Sequence, residues 1–174
     1  ELRDRDVFVE VFSGPSWRRV AKKITADREQ GAKAGPLVIS GHSWGADDAV
    51  RLARRLDKNG VQVDGLVLVD PTTPPKIPAN VRLCVNFYRS RPATDWMPWL
   101  RGVPVKAESQ STQIVNYDLR TSETHADLAK EVNHFTIEAN PEVQKMVVAA
   151  VLRIIEEKHS EAQQDPIRFV GAGE

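Results

Sequence analysis

One serine in this chain lies in a pattern that can make it a nucleophile. Ser43 is the centre of residues 41–45, Gly-His-Ser-Trp-Gly, which fit the pattern G-x-S-x-G. The apolar residues 37–39 precede the pattern and an amphipathic segment follows it, so we expect a turn from a strand into a helix. Such a turn directs the central side chain outward. We also expect that a Cβ at Gly41 or Gly45 would collide with the neighbouring strand and helix.

A serine hydroxyl becomes a good nucleophile only when a base takes its proton and an acid orients that base. Four histidines are candidates for the base. His42 adjoins the serine and its side chain should point elsewhere, His159 lies in a polar tail, and His125 lies on a predicted helix face where histidine is more often structural. His134 follows the last predicted strand and precedes the terminal helix, so its side chain can reach over the end of the sheet. We therefore predict that His134 is the base, with His125 as the alternative.

Three aspartates are candidates for the acid behind the base. Asp70 ends the apolar run 66–69, which is typical of a strand buried on both faces. Asp95 follows the next predicted strand, and Asp118 is a more distant third candidate. The residues favour Asp70 and leave Asp95 open.

Acyl transfer also needs two N–H donors for the developing oxyanion. The backbone N–H of Trp44, at the start of the predicted helix, is one candidate. If residues 7–12 form the strand beside the Ser43 strand, Gly14 in the following turn supplies the second donor. If another strand belongs between them, the second donor is not in this chain.

The elements that must position these side chains alternate along the chain. Strands are predicted at residues 7–12, 37–39, 66–69, 81–88 and 113–117, and helices at residues 16–30, directly after the serine, near His125, and from Asn140 to about residue 158. This alternation predicts an α/β fold, a three-layer αβα sandwich around a mainly parallel sheet. The functional crevice of such a sheet lies at the carboxyl ends of its strands.

Length and composition restrict the organisation and the partners. The length of 174 residues and the apolar fraction of 41% predict a single domain over residues 1–158, followed by a polar tail at 159–174. Within the domain we expect a lid-like loop at about residues 90–111, which carries Trp96, Met97 and Trp99. Lys plus Arg and Asp plus Glu both number 24, which disfavours nucleic acid as a partner. No apolar run is long enough to span a membrane. Cys84, the lone cysteine, should be a buried, unreactive thiol.

Three segments together resemble a known family. Gly-His-Ser-Trp-Gly, Leu-Val-Leu-Val-Asp-Pro and Asn-His-Phe are similar to the thioesterase branch of the α/β-hydrolases. The resemblance implies that Ser43 is the nucleophile, His134 the base, Asp70 rather than Asp95 the acid, and Trp44 an oxyanion donor. It implies a small-molecule acyl ester or thioester as substrate. The chain is short for this family and begins with Glu1, so we expect a compact or N-terminally incomplete version of the fold.

The expected function is that of a serine hydrolase that cleaves an ester or thioester through an acyl-enzyme and requires no cofactor and no metal. Two alternatives remain open. One is a binding or scaffold protein that keeps the fold without turnover. The other is a cofactor-free acyltransferase or perhydrolase that uses the same three residues.

Overall fold

Four parallel strands form the centre of the molecule. A computed structural model describes residues 1–12, 16–31, 35–93, 96–97 and 102–164. Its sheet has the order β1-β2-β3-β4, and each neighbouring pair is parallel. The strands are β1 (Val38–His42), β2 (Val63–Val69), β3 (Val81–Tyr88) and β4 (Gln113–Asp118). The predicted parallel α/β architecture is confirmed, and the carboxyl ends of all four strands meet at one edge of the sheet.

An α-helix precedes β1, and α-helices follow β1 and β4. They are α1 (Trp17–Glu29), α2 (Trp44–Asp57), the single turn α3 (Leu128–Glu131) and α4 (Pro141–Gln164), with 3₁₀ helices at Arg3–Arg5 and Ile137–Ala139. The start of α4 is as predicted, because the Asn140 side chain accepts the backbone N–H groups of Glu142 at 2.9 Å and Val143 at 3.3 Å.

The end of α4 differs from the sequence-based expectation. The helix continues beyond residue 158 to Gln164. Polarity alone does not end a helix whose charges are paired. Glu161 lies 3.2 Å from Lys158 and 3.7 Å from Arg82 on β3, so this polar turn is held both along the helix and to the sheet.

The helices cover both faces of the sheet. Leu66 and Leu68 of β2 belong to a buried cluster with Val50 of α2, and Val67 belongs to a cluster with Ile154 of α4. Successive strand residues therefore point to opposite helical layers. On the α4 side, Gly65 permits close packing, since a Cβ there would lie 2.6 Å from Cδ1 of Ile154.

The predicted strand at residues 7–12 is wrong. This segment has no strand pairing in the described structure, and Phe8 and Val11 are 70% and 81% exposed. A groove of about 720 Å³ is lined by Val9 and Val11 of this segment and by Ser40 of β1. β-branched and aromatic residues favour a strand only where a partner strand and a packing surface are present.

Part of the predicted lid-like loop packs against the body. Val105 is buried, and the backbone N–H of Ile77 donates to the carbonyl of Lys106 at 2.8 Å. Trp96 is 74% exposed. Trp99 and the rest of residues 98–101 lie outside the described residues, so the lid itself stays a prediction.

Cys84 is buried as predicted. It is fully enclosed between β2 and β4 in the sheet, and burial raises the pKa of its thiol to about 12. Within the ranges given above, none of the helices has the length and hydrophobicity that crossing a membrane requires.

Candidate active site

Ser43 lies at the turn between β1 and α2. Its φ of 55° and ψ of −125° are unusual for a residue with a side chain, and its backbone N–H donates to the carbonyl of Val69 at 2.9 Å. Gly41 makes the turn possible, because a Cβ there would lie 2.3 Å from the carbonyl oxygen of Gly45. The expectation for Gly45 is wrong, since a Cβ there would meet no atom within 4 Å. Gly45 lies in the first turn of α2, and its Cβ position faces neither β1 nor another helix.

His134 reaches Ser43 from the segment between α3 and α4. Its Nε2 lies 2.8 Å from the Ser43 hydroxyl oxygen, and the residue is only 3% exposed. Asn133 shapes the turn that carries it, since the Asn133 side chain accepts the Phe135 N–H at 2.8 Å and the Asn133 carbonyl accepts the Ile137 N–H at 2.9 Å. The fully buried Ile137 side chain anchors this turn to the core.

Asp70 is the residue directly after β2, and it is fully buried. One carboxylate oxygen lies 2.6 Å from Nδ1 of His134, and the other accepts the backbone N–H of Arg89 at 3.0 Å. Asp70 has a φ of 48°, a left-handed conformation that aspartate adopts more readily than most residues. Gly102 packs against the same carboxylate, since a Cβ at this position would lie 1.8 Å from it.

These three side chains form a continuous hydrogen-bonded line. Because an ionised carboxylate only accepts hydrogen bonds, Nδ1 of His134 must donate to Asp70. In the neutral ring, Nε2 is then the acceptor and faces the hydroxyl of Ser43. This geometry permits proton transfer from the hydroxyl to the imidazole.

A groove opens on this line from solvent. Its volume is about 590 Å³, and it is lined by Ser43, Trp44, His134 and Phe135. The two aromatic residues are 70% and 71% exposed, although side chains of this size are usually well covered. As the first residue of α2, Trp44 has no preceding turn to which its backbone N–H can donate.

The other candidate residues lie apart from this line. His125 contacts the hydroxyl of Tyr117 at 2.6 Å through Nδ1, and Asp118 accepts hydrogen bonds from Ser90 and Arg120. His159 is exposed near the end of α4. Two further candidates, Gly14 as oxyanion donor and Asp95 as acid, lie outside the described residues.

Sequence reasoning missed three residues that surround the line. His42 was expected only to point away from the serine, but its ring contacts the backbone carbonyl of His134 at 3.0 Å and the carboxylate of Glu138 at 2.6 Å. Glu138 follows His134 by one helical turn, which is the only signal that the sequence offers for it. The sequence gives no signal for Gly102, because its contact with Asp70 depends on how a loop without hydrophobic periodicity folds against the end of the sheet.

Across the described ranges, no group of three or more His, Cys, Asp and Glu side chains lies close enough to hold a metal ion.

The fold and this site define an α/β-hydrolase-like protein with a serine at the carboxyl edge of its sheet. A family model described as Thioesterase domain matches residues 13–80, a range that contains Ser43 and Asp70 but ends before His134. The resemblance to thioesterase-like α/β-hydrolases is thereby confirmed, and it supports a hydrolase function of the thioesterase or esterase type. No curated protein and no solved structure matches the chain.

Proposed function

We propose that the protein is a serine hydrolase that cleaves an acyl ester or thioester through an acyl-enzyme intermediate. The observation that carries this proposal is the pair of hydrogen bonds on either side of one imidazole, Ser43 Oγ to His134 Nε2 at 2.8 Å and His134 Nδ1 to Asp70 at 2.6 Å. The same order of groups activates serine nucleophiles on several unrelated folds.

Each residue has a distinct role in the proposed reaction. His134 removes the hydroxyl proton as Ser43 attacks the acyl carbon, and it then gives that proton to the departing alcohol or thiol. In the second half, His134 takes a proton from water as its oxygen attacks the acyl carbon. The ester bond to Ser43 Oγ then breaks, the carboxylic acid leaves, and His134 returns the proton to Ser43. The buried carboxylate of Asp70 keeps Nδ1 protonated and balances the charge of the imidazolium.

The start of α2 supports the oxyanion. The Trp44 N–H immediately follows the nucleophile and lies at the positive end of a helix of 14 residues. We assign it as one donor. Gly14 was expected as the second donor only if residues 7–12 form a strand beside β1, and they do not, so we assign no second donor.

The groove supports an apolar acyl group. Trp44 and Phe135 each directly follow a reacting residue in the chain, and both present their rings to the groove beside Ser43. An alkyl or aromatic acyl group between these rings would remove apolar surface from water on both sides.

A fluorophosphonate probe tests whether Ser43 is activated. We expect labelling of the native protein and loss of labelling in Ser43→Ala. Ser40→Ala is the matched control, because Ser40 lies on the same strand, is exposed, and should leave labelling unchanged. Absence of labelling in the native protein would contradict the proposed function and favour a scaffold.

Turnover of acyl esters and thioesters of increasing chain length tests the roles. We expect His134→Ala to reduce kcat by about 10⁴-fold and Asp70→Asn to reduce it by a comparable factor, by analogy with other serine hydrolases. Asp118→Asn and Asp95→Asn should have small effects. A larger loss in either of these than in Asp70→Asn would refute the assignment of the acid. Product analysis with added alcohol or hydrogen peroxide then shows whether water is the acceptor of the acyl group.

A further inference from the structure

The imidazole of His42 connects two parts of the molecule whose relative position matters for the proposed reaction. Its Nδ1 lies 2.6 Å from the Glu138 carboxylate, and its Nε2 lies 3.0 Å from the backbone carbonyl of His134. The His42 side chain is 20% exposed, and its ring centroid is 5.5 Å from that of His134. His42 adjoins Ser43 in the chain, whereas Glu138 and His134 share one turn, so the ring joins the nucleophile's strand to the base's turn.

Both partners of the His42 ring are acceptors. A backbone carbonyl has no proton to donate, and the carboxylate of Glu138, whose side chain is 55% exposed, accepts hydrogen bonds. A neutral imidazole carries one N–H and can satisfy only one of these partners. Both contacts are hydrogen bonds at the same time only if each nitrogen carries a proton, that is, if the ring is an imidazolium.

We propose that His42, held doubly protonated by Glu138, is a positioning residue for the base. The Nε2–H of His42 fixes the backbone of residue 134, so the His134 side chain remains free to contact Ser43 and Asp70. The other hydrogen bonds of this turn, those among its own residues and the one from the Gln144 side chain of α4 to the Glu138 carbonyl, do not reach β1. The catalytic part of this inference rests on the proposed function, whereas the protonation of the ring does not.

Two substitutions at residue 42 separate the two hydrogen bonds. In His42→Gln, the side-chain nitrogen can occupy the place of Nε2 and still donate to the carbonyl of His134. In His42→Asn, the shorter side chain places its nitrogen near Nδ1, where it faces Glu138 and cannot reach the carbonyl. We expect His42→Asn to lower kcat about tenfold, the order of effect expected for the loss of one hydrogen bond, with little change in KM. His42→Gln should retain kcat within about threefold. Equal activity of both variants, or a larger loss in His42→Gln, would overturn the proposal.

Nitrogen NMR of the histidine rings gives a readout that does not depend on turnover. In the native protein at neutral pH, both ring nitrogens of His42 should carry protons. In Glu138→Gln, one of these protons should be lost, because the amide removes the negative charge beside the ring. The matched control is Glu142→Gln, an exposed carboxylate on α4 that pairs with Lys145 and should change neither the His42 signals nor kcat. A singly protonated His42 in the native protein would overturn the proposal.

The same spectra distinguish failure of this inference from failure of the proposed function. The Nδ1 proton of His134, which faces Asp70, should give a signal that His42→Gln preserves and His42→Asn weakens. If the native protein shows no turnover and no fluorophosphonate labelling, the proposed function fails, and this pattern of signals still decides whether His42 positions the turn. An unchanged His134 signal in His42→Asn would refute the positioning role, whether or not the protein is an enzyme.

Discussion

A single methyl group at position 102 should disable the proposed active site without touching Ser43 or His134. In Gly102→Ala, the new Cβ would lie 1.8 Å from a carboxylate oxygen of Asp70, 2.7 Å from its Cγ and 3.0 Å from Cβ of Tyr88. The backbone at Gly102 cannot easily move away from Asp70, because the next residue, Val103, is held by two hydrogen bonds. Its N–H donates to the carbonyl of Pro71 at 3.2 Å, and its carbonyl accepts the side-chain N–H of Asn86 at 2.9 Å. The carboxylate must therefore move by about 1 Å or more to reach an ordinary contact distance.

The size of the effect follows from the hydrogen bond that this movement breaks. Asp70 is fully buried and lies 2.6 Å from Nδ1 of His134, so a shift of about 1 Å removes the contact that orients the ring. Misplacement of a catalytic group by about 1 Å costs about 10²-fold in rate, which corresponds to about 2.7 kcal/mol of activation free energy. Complete loss of the acid's control over the ring sets an upper limit of about 10⁴-fold. We expect kcat of Gly102→Ala to fall between these limits.

The assay combines steady-state turnover with thermal unfolding by circular dichroism. Gly35→Ala is the matched control, because a Cβ at that position meets no atom within 4 Å and its φ is not positive. It should retain both kcat and Tm. The double variant Gly102→Ala with Asp70→Asn should be no slower than Asp70→Asn alone, since both changes act through one carboxylate. Native kcat in Gly102→Ala, or independent losses in the double variant, would refute the reasoning.

Three further substitution or pH experiments test the packing that supports the site. Gly41→Ala should lower the free energy of unfolding by about 3 kcal/mol or more, because the new Cβ would overlap the backbone of Gly45. Gly45→Ala should be neutral or should stabilise the protein by up to about 1 kcal/mol. Equal melting temperatures of the two variants would contradict this expectation. Gly65→Ala should cost about 1 to 3 kcal/mol, and Ile154→Ala should recover part of that loss in the double variant, as measured by denaturant unfolding. The pKa of the Cys84 thiol is about 12 in the folded protein and 9.0 in the unfolded chain, so the free energy of unfolding should fall as the pH rises from 9 towards 12. Because the thiol is buried, thiol reagents should react only with the unfolded protein. Labelling of the native state would contradict the burial of Cys84.

Hydrophobic periodicity was sufficient for most elements, because the sheet is covered on both faces. The bounds of β3 agree with the apolar pattern at residues 81–88, and the cap at Asn140 marks the start of α4. Residues 7–12 have the same composition as a strand, but local composition cannot report whether a partner strand is present. The predicted collision of a Cβ at Gly45 was wrong for a related reason, because tertiary packing decides which side of a helix start is open.

The contacts of the candidate site could be predicted where a residue ends a strand, and they could not be predicted where they depend on loop geometry. Ser43 and Asp70 follow neighbouring parallel strands, and the sheet brings the ends of such strands together. The prediction of His134 as the base depended only on its place just before the terminal helix. The contact of Gly102 with Asp70 and the bridge from His42 to Glu138 join segments far apart in the chain, and no spacing rule connects them.

The two strained residues of the site are held by the two ladders of hydrogen bonds that β2 makes, one with β1 and one with β3. The N–H of Ser43 donates to the carbonyl of Val69 at 2.9 Å, and the N–H of Asp70 donates to the carbonyl of Phe87 at 2.8 Å. Each bond continues the parallel pairing one step beyond its strand, at the residue where φ becomes positive, 55° and 48° respectively. Because unusual backbone conformations persist only where the surroundings hold them, β2 acts as the common reference for both residues. A change that alters the register of β2 should therefore displace the serine and the carboxylate together, and His134, whose ring spans them, would lose both contacts at once.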